Sequence, residues 1–207
     1  MVPLPYNAAT LQNQFLGHMV PVAMEKIMAE IQNNISVGRS NGTVRVRVAG
    51  RGTFRNGQPL RRYALEMIGN GARQFVVDLG PCDGMDSTFL GVLAGIGLQL
   101  REPATPGRVR LANVSPRNLE LLQTVGLDQL FDLASGSEAE PAGPLMQRLP
   151  DSDAAQLPKV AVKKETADLM LEAHTNLIRA DDRNRSKFKD VTAVLRARTE
   201  TNPGKPQ

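Results

Sequence analysis

Two segments of the chain alternate hydrophobic and polar residues with the two-residue period of a strand, and an apolar run lies between them. Residues 43–48 alternate valine with arginine, and residues 108–113 repeat the alternation. Each segment therefore predicts a strand with one buried face and one solvent face. Phe75, Val76 and Val77 are apolar on both faces, which is typical of a central strand in a covered sheet.

Turn and capping residues predict how these strands are connected. A Ser-Asn-Gly turn joins residues 35–37 to residues 43–48 as a hairpin, because these turn residues tolerate positive φ. The predicted helices are 59–68, with Pro59 in its first turn, 87–100, and one that starts after the cap Ser115 and ends at Gly126. Strands alternating with helices predict an α/β fold, with a mixed sheet of about four strands flanked by helices.

Composition divides the chain into further segments around this predicted domain. Glycine, serine, proline and acidic residues dominate after residue 135, which indicates a linker. A predicted helix follows, with two apolar patches separated by a charged stretch, and we expect it to dock on its own domain or on a second copy as a homodimer. The predicted segments are 1–34, an extension that is partly disordered or helical; 35–135, the domain; 136–164, the linker; 165–198, the C-terminal helix; and 199–207, a disordered tail.

Charge and cysteine usage limit the classes of partner and compartment. The formal net charge is +4, and every basic residue of the predicted domain is arginine, without interleaved aromatics. A nucleic-acid partner is therefore not favoured. Cys82 is the one cysteine, which excludes an intramolecular disulfide; it is expected to be a small buried hydrophobe or an oxidisable neighbour of Ser87. No apolar run approaches the ~20 residues that span a bilayer, so we expect a soluble cytoplasmic protein without membrane insertion.

The candidate chemistry lies where the apolar strand hands over to a helix. Asp86, Ser87 and Thr88 directly precede the apolar run of the second predicted helix. This places the Ser87 hydroxyl at the amino end of a helix, where unpaired N–H groups and the helix dipole favour a phosphate. The alternative is that these three residues cap the helix and have no regulatory role.

Other candidate motifs do not support enzymatic chemistry. Gly91, Gly95 and Gly97 lie inside a predicted helix, so they are not a dinucleotide loop and are expected to let the helix pack closely on the sheet. His18 and His174 are isolated, with no metal-ligand spacing around them. No nucleophile–base pair or carboxylate dyad is evident. We therefore expect no enzyme, no catalytic residue, no cofactor and no metal.

The motif around Ser87 resembles that of the STAS domain, which is shared by anti-sigma factor antagonists and the cytoplasmic parts of sulphate transporters. The run Met85-Asp86-Ser87-Thr88-Phe89-Leu90-Gly91-Val92-Leu93, after the apolar strand, is similar to the antagonists' motif. Thr88 stands where that motif has a second serine, and Phe89 where it has a glycine. The resemblance extends over residues 35–133. It implies a STAS-like fold to which a C-terminal helical extension is added.

The resemblance also implies a function. Ser87 would be the phosphorylation site, modified by an anti-sigma factor serine kinase whose own fold binds the ATP, and a PP2C-type phosphatase would reset it. Unmodified, the chain would bind the anti-sigma factor and release a sigma factor, so that it acts in transcription regulation by partner switching. The loop 51–56 is a less certain neighbour of the partner-binding surface. That surface would comprise Gly84, Met85, Asp86, Ser87, Thr88 and Phe89.

Two alternatives use the same helix end. The chain could be a STAS-type accessory subunit of a membrane transporter or lipid-transport complex, which would contact its partner without phosphorylation. It could also be a phosphate- or nucleotide-binding enzyme of another class, which would bind or turn over a small molecule on its own.

Overall fold

The computed structural model describes residues 34–104, 106–134, 147–149 and 159–200. The expectations for the N-terminal extension, for most of the linker and for the tail after residue 200 fall outside these residues. The helices are α1 (Phe54–Gly69), α2 (Ser87–Arg101), α3 (Pro116–Thr124), α4 (Lys159–Ala180) and α5 (Asn184–Glu200), with a 3₁₀ turn at Leu127–Gln129. The strands are β1 (Asn34–Ser40), β2 (Thr43–Gly52), β3 (Gln74–Asp78), β4 (Cys82–Met85), β5 (Arg108–Ala112), β6 (Asp132–Leu133) and β7 (Gln147–Arg148).

The described strands form one mixed sheet in the order β6-β5-β3-β2-β1-β7, and β4 pairs with the far end of β2. The β1–β2 and β1–β7 pairs are antiparallel, and the others are parallel. The predicted fold class, a mixed sheet flanked by helices, is confirmed, with seven strands among the described residues rather than about four. The additional strands are only two to four residues long, which is too short for an alternating pattern to reveal them.

The core lies on one face of this sheet. Val44, Val46 and Val48 of β2 point into the core, whereas the alternate residues Arg45 and Arg47 lie on the opposite face, as the period of two requires. Helices α1 and α2 contact each other and cover the apolar face. The sheet therefore presents the carboxyl ends of its strands beside the amino ends of these two helices.

Helix α1 begins earlier than predicted. Thr53 caps it, and the Asn56 side chain accepts a hydrogen bond from Thr53 N at 2.7 Å while donating to Arg51 O at 2.9 Å. These bonds turn residues 54–57, predicted to be loop, into the first turn of the helix. Pro59 consequently lies inside the helix rather than at its start. The loop that remains before α1 is short, which brings the helix start close to β4.

Two of the three predicted glycines of α2, Gly91 and Gly95, contact another helix and not the sheet, and Gly97 packs against Leu130 and Phe131, which corrects the prediction. A Cβ atom on Gly91 would overlap the backbone carbonyl of Ala173, and one on Gly95 would lie 2.6 Å from Asn176 Nδ2. Both contacts belong to α4, which packs along α2 more extensively than any other element does. Helix α2 is therefore buried between the sheet and α4.

The single C-terminal helix predicted for residues 165–198 is instead two helices, α4 and α5, here called the C-terminal hairpin. The connection is fixed by Asn184, which is fully buried and donates from Nδ2 to Val125 O at 2.8 Å and to Leu177 O at 2.9 Å. Gly126, at φ +70°, leaves the room that Asp181 occupies. Docking on its own domain is the arrangement in this structure; dimerisation through the hairpin stays a prediction.

Asp78, at the end of β3, is expected to make the fold sensitive to acid. Its carboxylate accepts hydrogen bonds from Asn113 Nδ2 at 2.8 Å, Gly80 N at 3.0 Å and Arg47 Nε at 2.9 Å. Partial burial raises the pKa of this carboxyl, but the three hydrogen bonds and the Arg47 charge together outweigh it and hold the pKa below its ordinary value. The folded chain thus binds this proton less readily than the unfolded chain does. The stabilisation is complete above the unfolded pKa of about 3.9 and is lost as pH falls through the lower folded value.

We expect Asp78→Asn to lower the free energy of unfolding at neutral pH and to flatten its decline in acid. Urea unfolding of the wild type and the variant, measured from about pH 7 down to about pH 3, gives both quantities. Equal acid slopes in the two proteins would show that Asp78 does not contribute to this sensitivity.

Candidate functional site

The candidate site lies where β4 ends and α2 begins. Asp86 is the N-cap of α2 in extended conformation, at φ −85° and ψ 168°, and Ser87 is the first helical residue. The backbone N–H of Asp86 donates to Gly52 O at 2.9 Å, which continues the pairing of β4 with β2. The site is therefore held on two paired strands and a helix end rather than on a free loop.

The Asp86 carboxylate joins the starts of two helices. Its Oδ1 accepts from Phe89 N of α2 at 2.8 Å, and its Oδ2 accepts from Phe54 N of α1 at 3.0 Å. Each bond satisfies one of the N–H groups that a helix leaves unpaired at its start. The negative charge also lies at the positive ends of two helix dipoles. Asp86 therefore fixes the angle at which α1 and α2 converge beside Ser87.

The Ser87 hydroxyl is paired with a histidine that no local pattern in the sequence places beside it. Ser87 Oγ lies 3.1 Å from His174 Nε2, and His174 Nδ1 lies 2.7 Å from Met170 O. Because a carbonyl oxygen only accepts, Nδ1 carries the ring proton, and in the neutral imidazole Nε2 is left to accept from the serine hydroxyl. His174 is buried, with 6% of it exposed, and its ring lies 5.0 Å from that of Phe188.

The structure places the predicted surface residues at different depths. Asp86 and Ser87 are half-buried, whereas the other four are buried. Phe89 is completely enclosed. Its ring lies close to Gly57 and against Gly52, where a Cβ atom would approach the ring to 2.5 Å. The phenyl group at the family's glycine position is therefore accommodated inside the domain by two glycines. The four buried residues are Gly84, Met85, Thr88 and Phe89.

The end of β2 and the first turn of α1 contact Asp86 through Gly52 O and Phe54 N. Arg51 and Arg55 are exposed and Phe54 is half-buried. The Arg55 guanidinium lies 5.8 Å from the centre of the Phe54 ring, which is within the range of a cation–π contact. The segment whose Phe54 N–H donates to Asp86 thus carries two exposed cations and an aromatic ring.

Cys82 is buried four residues before Asp86, in β4. Burial raises the pKa of its thiol more than the hydrogen bonds it receives lower it, and the sulfur lies 3.5 Å from Gly84 O. Since the thiolate is the form that reacts, the thiol is kept in its unreactive form. This agrees with the expected buried hydrophobe and not with an oxidisable neighbour of Ser87.

Three other features bear on function in the described parts of the chain: a cleft, the capacity for a metal centre and the capacity of the helices to span a membrane. A cleft of about 210 Å³ lies between α1, α2 and α4. The ion pair between Arg61 and Glu172, at 2.8 Å, forms part of its lining. Ser87 does not border this cleft. Within residues 34–104, 106–134, 147–149 and 159–200, no group of three or more His, Cys, Asp or Glu side chains could hold a metal ion. None of the helices in these ranges is both long and apolar enough to cross a membrane.

Comparison with known proteins identifies the domain. Residues 35–133 match a family model for the STAS domain, so this part of the chain is a STAS domain, as the motif around Ser87 predicted. The model is the one described as "Mlab, STAS domain". No curated protein matches the chain in sequence.

Solved structures of anti-sigma factor antagonists are similar to part of the chain. A candidate antagonist of Thermotoga maritima is 17% identical, over 51% of this chain and 90% of that one, with a TM-score of 0.46. The phosphorylated form of the Bacillus cell fate determinant SpoIIAA is 25% identical, over 51% and 95%, with a TM-score of 0.43. An antagonist of Mycobacterium paratuberculosis is 19% identical, over 62% and 92%, with a TM-score of 0.41.

Proposed function

We propose that this protein is an anti-sigma factor antagonist whose binding to its partner is switched by phosphorylation of Ser87. The observation that carries the proposal is the half-buried hydroxyl on the first residue of α2, within a motif that resembles the antagonists' phosphorylation motif. The partner would be a serine kinase that brings its own ATP, and a PP2C-type phosphatase would reverse the modification. In this proposal the protein works in the cytoplasm and has no catalytic activity of its own.

Electrostatics supports a switch at this position. A phosphoserine adds a charge of about −1.5 to −2, and the adjacent Asp86 carboxylate is already held by two helix starts. The exposed cations Arg51 and Arg55 offer the unmodified surface an attraction for an acidic partner patch. A phosphate on Ser87 would repel that patch.

The partner surface in this proposal is smaller than the sequence alone indicated. Gly84, Met85, Thr88 and Phe89 support it from inside. Asp86 and Ser87 contribute its centre, and Arg51, Phe54 and Arg55 of the neighbouring segment contribute its rim. Such a surface has a small polar centre, as expected of a regulatory contact that must be released.

The test is to map phosphate on the chain purified from its native cells, grown with and without stress. We expect one phosphate on Ser87 whose occupancy changes with the condition, measured by intact-mass and fragment mass spectrometry. Ser115, the cap of α3, is the internal comparison and is expected to stay unmodified. Absence of phosphate on Ser87 under every condition would contradict the switch.

The second candidate is a STAS accessory subunit of a membrane transporter or lipid-transport complex. Two observations favour it: the matching model is described as "Mlab", and the unmodified hydroxyl already makes a hydrogen bond to His174. In that case the surface around Asp86 would contact its partner permanently. Recovery of one membrane complex with the chain, together with an unphosphorylated Ser87, would favour this candidate over the first.

A further inference from the structure

Ser87 and His174 have the arrangement of a nucleophile and its base. The hydroxyl lies within hydrogen-bond distance of Nε2, at 3.1 Å, and the imidazole is oriented through Nδ1 by Met170 O, at 2.7 Å. A nucleophile, a base in contact with it and a third group that fixes the base are the parts that activate a serine. These parts come from two elements, α2 and α4, that pack along each other.

Helix capping does not account for this hydrogen bond. Asp86 is the residue that caps α2, through its bond from Phe89 N, so the Ser87 hydroxyl is left to point at α4. The two partners also differ in access, because Ser87 is half-buried while His174 is buried and packs on Phe188. An electrophile can therefore reach the oxygen from outside while the imidazole stays shielded behind it.

We propose that His174 is the base that activates Ser87 for phosphorylation, an inference that rests on the proposed function. The serine Oγ forms a bond to the terminal phosphorus of a nucleoside triphosphate held by the partner kinase. The bond from that phosphorus to the bridging oxygen breaks, and the nucleoside diphosphate leaves. The hydroxyl proton passes to His174 Nε2. The products are a phosphoserine and an imidazolium, whose opposite charges attract each other at short distance.

This gives the C-terminal hairpin a role in the switch. His174 reaches Ser87 only while α4 is docked on α2, and the close approach at Gly91 and Gly95 sets that docking. The hairpin therefore completes the phosphorylation site of the STAS domain. Release of the hairpin would leave Ser87 as an ordinary, weakly nucleophilic serine.

The reactivity of Ser87 can be measured without the kinase, on the full-length chain, with diisopropyl fluorophosphate as probe. The Oγ–P bond forms, the P–F bond breaks, fluoride leaves and Nε2 takes the proton. We expect the probe to label Ser87 and not Ser115, whose hydroxyl accepts from Asn118 N as the cap of α3. Ser87→Ala should abolish labelling. Fragment mass spectrometry against time gives the site and the rate.

Two variants of His174 separate a base from a packing residue. His174→Gln keeps a polar group beside Ser87 but cannot take the proton, and we expect labelling about 100-fold slower, in the range of general base catalysis. His174→Ala should be slowed similarly and partly restored by free imidazole. Urea unfolding of both variants checks that they are folded.

Three results would overturn the inference: an unlabelled wild type, wild-type labelling rates in His174→Gln, or a slow His174→Ala that free imidazole does not restore. The proposed function has a separate outcome. Phosphate on Ser87 in native cells together with any of these three results would retain the switch and assign the base to the kinase. Efficient His174-dependent labelling without phosphate in cells would retain the activated serine and remove the switch.

Discussion

Gly91→Ala is expected to destabilise the protein, although replacing a glycine by alanine inside a helix ordinarily stabilises it by about 1 kcal/mol. The added methyl group would overlap the backbone of Ala173, and a helix backbone cannot move aside as a side chain can. We expect the free energy of unfolding to fall by about 3 kcal/mol, at the upper end of the usual cost of overpacking. Part of that loss comes from weaker burial of Leu169 and Leu177, which lie on the same face of α4 as Ala173.

Urea unfolding measures the stability, and hydrogen exchange followed by mass spectrometry measures the protection of α4. Gly69→Ala is the matched control, because Gly69 is also in a helix and nothing lies within 4 Å of its added Cβ atom. The control should be neutral or more stable than the wild type. A Gly91→Ala variant with wild-type stability and wild-type protection of α4 would mean that the close helix contact does not hold the hairpin.

Asp86→Ala is expected to cost about 3 kcal/mol, because it removes the cap of α2 and the acceptor of the first N–H of α1, each worth about 1 kcal/mol, and the charge-assisted part of both bonds. Phe54 N and Phe89 N would each lose the carboxylate oxygen they donate to. Asp86→Asn should lie between the wild type and Asp86→Ala, since its amide has one accepting oxygen and not two. Urea unfolding at neutral pH gives all three values.

Ser115→Ala is the reference for this experiment, because Ser115 caps one helix only, through a 3.3 Å bond from Asn118 N. We expect it to cost about 1 kcal/mol. If Asp86→Ala costs no more than Ser115→Ala, then the second bond, to α1, contributes nothing to stability. The difference between the two variants therefore measures how strongly Asp86 couples the two helices.

The parts of the fold that the sequence predicted are those with local signals. The alternation in β2 and β5 is visible over six residues each, and the apolar run of β3 over three. The start of α2 was predictable because Asp86, Ser87 and Thr88 are adjacent and precede an apolar run. The sequence predicts too late a start for α1, because Pro59 is a local signal for a first helical turn, whereas the cap formed by Thr53 and Asn56 depends on side-chain hydrogen bonds.

The partner of Ser87 could not be predicted, because nothing local marks it. His174 is 87 residues away from Ser87, and a lone histidine on an amphipathic helix is more often a packing residue. The break between α4 and α5 was hidden for a similar reason. It depends on Asn184 bonding to Val125 O, a tertiary contact, while the charged residues around it are compatible with a continuous helix.

The late position of α4 in the chain has a consequence for the order in which the protein is made. The STAS domain ends at residue 133 and leaves the ribosome before the hairpin, and at ordinary rates of synthesis the roughly 40 residues from there to His174 take roughly 2 to 8 s to add. During that interval the nascent domain presents α2 without the helix that later covers it. A newly made chain and a finished one therefore offer different surfaces to a chaperone, a protease or a regulatory partner, although their STAS domains are identical in sequence.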